Sequence, residues 1–77
     1  MNYIIIEMQT HDSATDILTV VKNTYETAIA EFFTKCAYAA LSQMPIHSVA
    51  LLTENGVAVE NRHECFDHRT PEPETEE

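Results

Sequence analysis

The sequence is poor in residues on which several functions depend. Among 77 residues there is one glycine, Gly56, and there are four lysines and arginines against thirteen acidic residues. A single glycine excludes a glycine-rich phosphate loop, which needs several glycines in one short segment. The low basic content gives a formal net charge of −9. It argues against direct binding of nucleic acid, because Lys and Arg make the contacts to the phosphate backbone.

Cysteines and long apolar segments are also scarce. The two cysteines, Cys36 and Cys65, follow no secretory signal, and we expect both to remain free thiols in a reducing compartment. The apolar run at the amino terminus is interrupted by Glu7 and is too short for a signal sequence or a membrane span. We therefore expect a cytoplasmic protein with no disulfide and no membrane partner.

The length allows one small domain with a limited core. A domain of this size buries only about 60% of the surface that its unfolded chain exposes, so an oligomer would add useful stability. The segment 71–77 contains four glutamates and two prolines, and like charges with proline do not form a packed element. We predict a single domain over residues 1–69 and a disordered acidic tail over residues 70–77.

Hydrophobic periodicity predicts four strands and one helix. Apolar residues at three- and four-residue steps predict a helix over residues 24–44, which Asn23 caps and Pro45 ends. Glu54-Asn55-Gly56 predicts a hairpin with a type I′ turn. The polar residues 11–16 predict a loose loop between the first two strands. Alternating and β-branched runs predict strands over residues 2–10, 17–22, 46–53 and 57–66.

The order of these elements predicts an α+β fold of type ββαββ, in which one helix packs on one face of a four-stranded sheet. Two strand orders remain open at this point. The order 2-1-4-3 would pair strands 1 and 4 in parallel, whereas the order 2-1-3-4 would make every pair antiparallel.

The first three strands carry apolar residues on both faces, and one helix covers only one face of a sheet. In strand 1, Ile4, Ile6 and Met8 alternate with Tyr3 and Ile5. We place Tyr3 and Ile5 on the helix-free face and expect that face to bind another copy of the chain or a different protein. The predicted contact surface also includes Ile17, Val21 and Tyr38.

The densest set of potential metal ligands is His63, Cys65 and His68. Zinc accepts such donors, but no second cysteine stands at the spacing that is typical of structural zinc sites. Cys65 beside His63 is also a weak signal for a thiol enzyme, because any His-x-Cys in a strand has this arrangement. Cys36 on an apolar helix face is a poorer nucleophile still. We expect no enzyme activity, no metal and no cofactor.

Several segments resemble short uncharacterised proteins of tailed bacteriophages and prophages of Gram-positive gut bacteria. They are the opening residues 1–10, the alanine-rich residues 36–40, residues 45–53 and the Glu-rich end. The resemblance covers most of the chain and implies no catalytic residue. It implies a phage protein in the host cytoplasm or associated with the virion, either as a structural or assembly accessory or as a factor that acts on a host protein.

The acidic balance supports an alternative function. A protein that imitates nucleic acid can inhibit a host nucleic-acid enzyme, such as a restriction or CRISPR nuclease, because complementary fields favour docking. Glu60 and Glu64 of the last strand are the candidate contacts. Arg62 stands between them, and Lys22 and Lys35 dilute the acidic residues elsewhere. The alternative reading of the same charges is that they keep a small protein in solution.

Overall fold

The computed structural model describes residues 1–69, and the acidic tail predicted for residues 70–77 lies outside the described residues. Within residues 1–69 the chain has the order ββαββ, which confirms the predicted α+β class. The elements are β1 (Tyr3–His11), β2 (Ala14–Lys22), α1 (Tyr25–Ala40), β3 (Ile46–Thr53) and β4 (Ala58–Asp67).

The strands of residues 1–69 form one sheet in the order β2-β1-β3-β4, and every neighbouring pair is antiparallel. The structure therefore selects one of the two strand orders that the sequence left open. β1 and β3 are the central strands, and Ile5 of β1 lies opposite Val20 of β2 and Leu51 of β3. β2 and β4 form the two edges.

Helix α1 is shorter than the sequence predicted at its carboxyl end. Thr24, rather than Asn23, is the N-cap, and its hydroxyl accepts a hydrogen bond from the Thr27 amide at 3.2 Å. The helix ends at Ala40, where the Leu41 amide donates to the carbonyl of Tyr38, three residues back, at 3.1 Å. The last turn is tighter than an α-helical turn, and the helix ends there, before Pro45. The proline ring disfavours helical geometry in the residue that precedes it.

Both hairpin turns differ from their predictions. His11 pairs directly with Ala14, and Asp12 has a φ of 52°. The loop predicted for residues 11–16 is therefore a tight turn, because Asp tolerates the left-handed region. In the second hairpin, the Gly56 amide donates to Thr53 O at 2.9 Å, and Gly56 alone in the loop has a positive φ, 82°. This geometry is a three-residue turn closed by a glycine, and the predicted type I′ turn is wrong.

The core lies between α1 and one face of the two central strands. Phe32 is the largest helix side chain in it, and Ala28 and Ala39 let the helix approach the sheet closely. On the sheet side the fully buried residues are Ile5, Val49 and Leu51.

Two predicted contact residues lie under the helix. Ile5 is 1% exposed in the core, and the ring of Tyr3 meets Tyr25 edge to face, with centroids 5.7 Å apart. The prediction that Tyr3 and Ile5 lie on the helix-free face is therefore wrong. Alternation shows that successive residues of β1 point to opposite faces of the sheet. Since both faces of this strand carry apolar residues, alternation does not show which face the helix covers.

Strand β4 contains a large bulge. Ala58 lies opposite Leu52 and His63 lies opposite Ala50, so the four residues 59–62 span the interval of one residue on β3. Asn61 within the bulge has a φ of 65°. The predicted strict alternation of β4 is therefore interrupted at this point.

Candidate functional site

The face of the sheet that points away from α1 has an apolar centre. Because Ile5 lies under the helix, alternation directs its neighbours in β1 to the other side. The cross-strand partners of these residues extend the surface onto β2 and β3. We call this surface the free face and define it by Ile4, Ile6, Met8, Ile17, Val21 and Leu52.

The free face is accessible at its β2 side and partly screened at its centre. Ile17 is 64% exposed and Val21 is 58% exposed, whereas Ile4, Ile6 and Met8 are half-buried among neighbouring strand residues. Ile17 and Val21 were both predicted contact residues, and the structure places them next to Met8 and Ile4 respectively. The one helix of residues 1–69 lies on the opposite side of the sheet.

The ionisable side chains of the central strands lie on the covered face. Glu7 and His11 alternate with the free-face residues of β1, and His47 is the ionisable residue of β3. On the helix-free side of these two strands the polar side chains are the uncharged Thr10 and Ser48. The two central strands therefore carry their ionisable side chains on the helix side, and their other side is mainly apolar.

Glu7 is the centre of a buried polar cluster. Its Oε2 atom lies 2.5 Å from His47 Nε2 and accepts a hydrogen bond from Gln9 Nε2 at 3.4 Å. Lys35 Nζ from the helix approaches Glu7 Oε1 at 3.8 Å and also pairs with Glu31 at 3.6 Å.

This cluster lies inside the fold and does not form an open site. Glu7 is 7% exposed and His47 is 3% exposed, so neither side chain can meet a large ligand. Their contact joins β1 to β3, and the lysine joins both to α1. Sequence reasoning missed the cluster, although a single glutamate inside an otherwise apolar strand was a usable signal, because a buried charge requires a partner.

The remaining predicted contact residues do not join the free face. Tyr38 is 66% exposed, but it lies on the helix, which packs on the other side of the sheet. Glu64 lies opposite Val49 and thus on the helix side, while Glu60 lies in the bulge. Arg62 is between them in the chain, and its guanidinium lies 5.3 Å from the centre of the Phe33 ring. The two glutamates therefore form no continuous acidic row.

The potential metal ligands point to different sides. His63 and Cys65 lie opposite Ala50 and Ser48, on the helix-free side. His68 stacks on Phe66, and its Nε2 lies 2.8 Å from the carbonyl oxygen of Ala39 in the helix. Among the described residues, no group of three His, Cys, Asp or Glu side chains is arranged to hold a metal ion.

The two thiols have different surroundings. Burial raises the pKa of the Cys36 thiol, and the nearby Glu64 carboxylate raises it further. Since the thiolate is the reactive form, Cys36 is a weak nucleophile at neutral pH. Cys65 is exposed. Both are free thiols in the structure.

In the part of the chain that the structure describes, no helix has the length and apolar character needed to cross a membrane. Comparison with protein-family models, with curated proteins and with solved structures found no match to this chain. Function is therefore inferred from the free face and its surroundings.

Proposed function

We propose that this chain is a non-catalytic protein–protein interaction module that self-associates through the free face. The observation that carries the proposal is the distribution of charge across the central strands. Glu7 and His47 lie beneath the helix, whereas the other side of the same strands is apolar. A sheet with one solvated face normally shows the opposite pattern, with polar residues toward water.

A second copy of the chain is a suitable partner for this surface. Self-association would place the apolar centre of one sheet on that of another, at the spacing of about 10 Å that is usual for packed sheets. Contiguous exposed apolar surface on a small domain commonly marks an interaction site. The partly exposed central residues, with the more exposed Ile17 and Val21 beside them, provide such a surface.

The size of the sheet is sufficient for a specific contact. With four strands, a strand spacing of about 4.8 Å and a rise of about 3.3 Å per residue, the face measures roughly 500 Å². Two copies would then bury on the order of 1,000 Å² in total, which is near the lower limit for a specific interface. This contact is expected to be reversible at micromolar concentration.

The resemblance to phage proteins suggests where such a module would act. A small self-associating protein made with a phage particle could serve as a structural or assembly accessory. The alternative, an acidic inhibitor of a host nuclease, gains no support from β4, because Arg62 separates Glu60 from Glu64 and the bulge interrupts the strand.

The proposal is tested by a charge placed at the centre of the free face. Ile6→Lys would bury a charge in the interface, and we expect it to lower the average mass in sedimentation equilibrium by up to twofold. Tyr38→Lys is the matched control, since it places the same charge at an exposed apolar residue on the helix. Circular dichroism should show that both variants remain folded. Equal masses for wild type and Ile6→Lys would contradict the proposal.

A further inference from the structure

The two edges of the sheet differ in how they resist strand addition. β4 has a bulge and carries Glu60, Arg62 and Glu64, and both features hinder the pairing of a further strand. β2 has neither feature over its central part. Its nine residues pair with β1 without a register shift, and its charged residues, Asp16 and Lys22, lie toward its two ends.

The open edge is also unusually apolar. Ile17, Leu18 and Val21 are 64%, 47% and 58% exposed, and they lie on both faces of the strand. An exposed edge strand of this length without proline, glycine or a central charge is a template for another strand.

We propose that β2 pairs with β2 of a second copy, antiparallel and about a two-fold axis centred on Thr19. The pairing strand comes from another copy of this chain because β2 is complementary to itself. In an antiparallel pair related by a two-fold axis, one residue must lie opposite the same residue of the partner. When that residue is Thr19, Asp16 lies opposite the partner's Lys22, and Lys22 lies opposite the partner's Asp16. Opposite charges thus meet at both ends of the pair.

The apolar residues match in the same register. Ile17 faces the partner's Val21 on the side of the free face, and Leu18 faces the partner's Val20 on the helix side. Thr19 faces the partner's Thr19, a pair whose hydroxyls can hydrogen-bond. Between the two charged ends, each pair therefore joins an apolar residue to an apolar residue or Thr19 to Thr19.

Neighbouring registers lose this match. With Leu18 at the centre, Asp16 would face the partner's Val20 and Lys22 would face the partner's Ala14. With Val20 at the centre, Lys22 would face the partner's Leu18. Each shift leaves both residues without an opposite charge on the partner strand, so charge complementarity between the two copies selects Thr19.

This pairing is separate from self-association through the free face. The two-fold axis of the β2 pair runs perpendicular to the sheet, so the two sheets of four strands join into one continuous sheet. Both helices then lie on one side of that sheet, and both free faces lie on the other. If the free faces also pair, the two interfaces together close a tetramer of dihedral symmetry, a common arrangement for homo-oligomers. Each interface can be removed without the other.

Cross-linking tests the register directly. Directly opposed residues of an antiparallel pair have Cα atoms about 4.5–5.5 Å apart, which a disulfide spans. In a Cys36→Ala, Cys65→Ala background, Thr19→Cys should form a disulfide-linked dimer several-fold faster on mild oxidation than Thr15→Cys, which the register places opposite the partner's Asn23. Equal rates for the two variants would overturn the proposal.

Charge exchange provides a second readout and separates the two interfaces. Asp16→Lys should slow cross-linking of Thr19→Cys several-fold, and adding Lys22→Asp should restore it; no loss, or a loss without restoration, would overturn the pairing. Ile6→Lys should leave this cross-link in place while it removes contact through the free face. Equal masses for wild type and Ile6→Lys, together with faster cross-linking of Thr19→Cys than of Thr15→Cys, would support the edge pairing and reject the proposed function. A lower mass for Ile6→Lys, together with equal cross-linking rates for the two cysteine variants, would do the opposite.

Discussion

Glu7 Oε2 and His47 Nε2 lie 2.5 Å apart beneath α1, on the opposite side of the sheet from the half-buried Ile6. Two adjacent residues of β1 therefore have the opposite of the usual burial, because the Glu7 carboxylate is buried and Ile6 is partly exposed to solvent. Burial takes both polar side chains out of water, so each depends on the other as a hydrogen-bond partner, while the apolar side of β1 is left uncovered by the helix.

The contact between Glu7 and His47 should be strongly coupled. His47→Ala or Glu7→Ala would leave a buried partner unpaired, and we expect each to lower the free energy of unfolding by about 3–5 kcal/mol. Glu7→Leu with His47→Leu should recover much of that loss, because apolar residues replace both partners. Urea unfolding at one fixed protein concentration measures all variants. Additive losses in the double variant would contradict this coupling.

Cys65 should report on burial of the helix-free side, with Cys36 in the helix as an internal reference. In an Ile6→Lys variant, iodoacetamide should modify the exposed Cys65 well before Cys36, whose pKa is raised by burial and by Glu64. In the wild type, self-association should slow modification of Cys65. Mass spectrometry of timed samples measures both rates. Modification of Cys36 first, or an equal Cys65 rate in both proteins, would count against the assignment.

Asp67 should titrate unusually low. Its carboxylate accepts hydrogen bonds from Arg69 Nε at 2.9 Å and Nη2 at 2.6 Å, which lower the pKa of Asp67 from 3.8 to about 2. Since the folded pKa is the lower one, any stability from this pair is present above pH 3.8 and is lost as the pH falls through about 2.

Substitution of the arginine tests this cause. Arg69→Ala should move the pKa of Asp67 back toward 3.8, whereas Arg69→Lys should move it only part of the way. Carbon NMR of the carboxyl group follows the titration. A pKa that stays near 2 in Arg69→Ala would show that another group stabilises the carboxylate.

Gly56 should be required for its backbone conformation and not for space. Its φ is 82°, and a Cβ atom added there would meet nothing within 4 Å. Gly56→Ala should lower the free energy of unfolding by about 1 kcal/mol, because L-residues are strained in the left-handed region. Gly56→Asn should lose less, since Asn tolerates that region. Equal losses in urea unfolding would indicate a different cause.

The sequence was sufficient for the fold class and for four strands and one helix, because periodicities of 2 and 3.6 residues are local properties. It was insufficient for the orientation of β1, since Ile5 and Ile6 are equally apolar and only packing against Phe32 distinguishes them. The strand order also depended on tertiary pairing. Glu7 was visible as an isolated charge, but its partner His47 lies forty residues away in the chain.

The most direct measurement is the mass of the wild-type protein in solution, by sedimentation equilibrium over micromolar concentrations. We expect a concentration-dependent mass that rises to a multiple of the 8.7 kDa chain. A mass that remains at 8.7 kDa throughout this range would show that the protein does not self-associate.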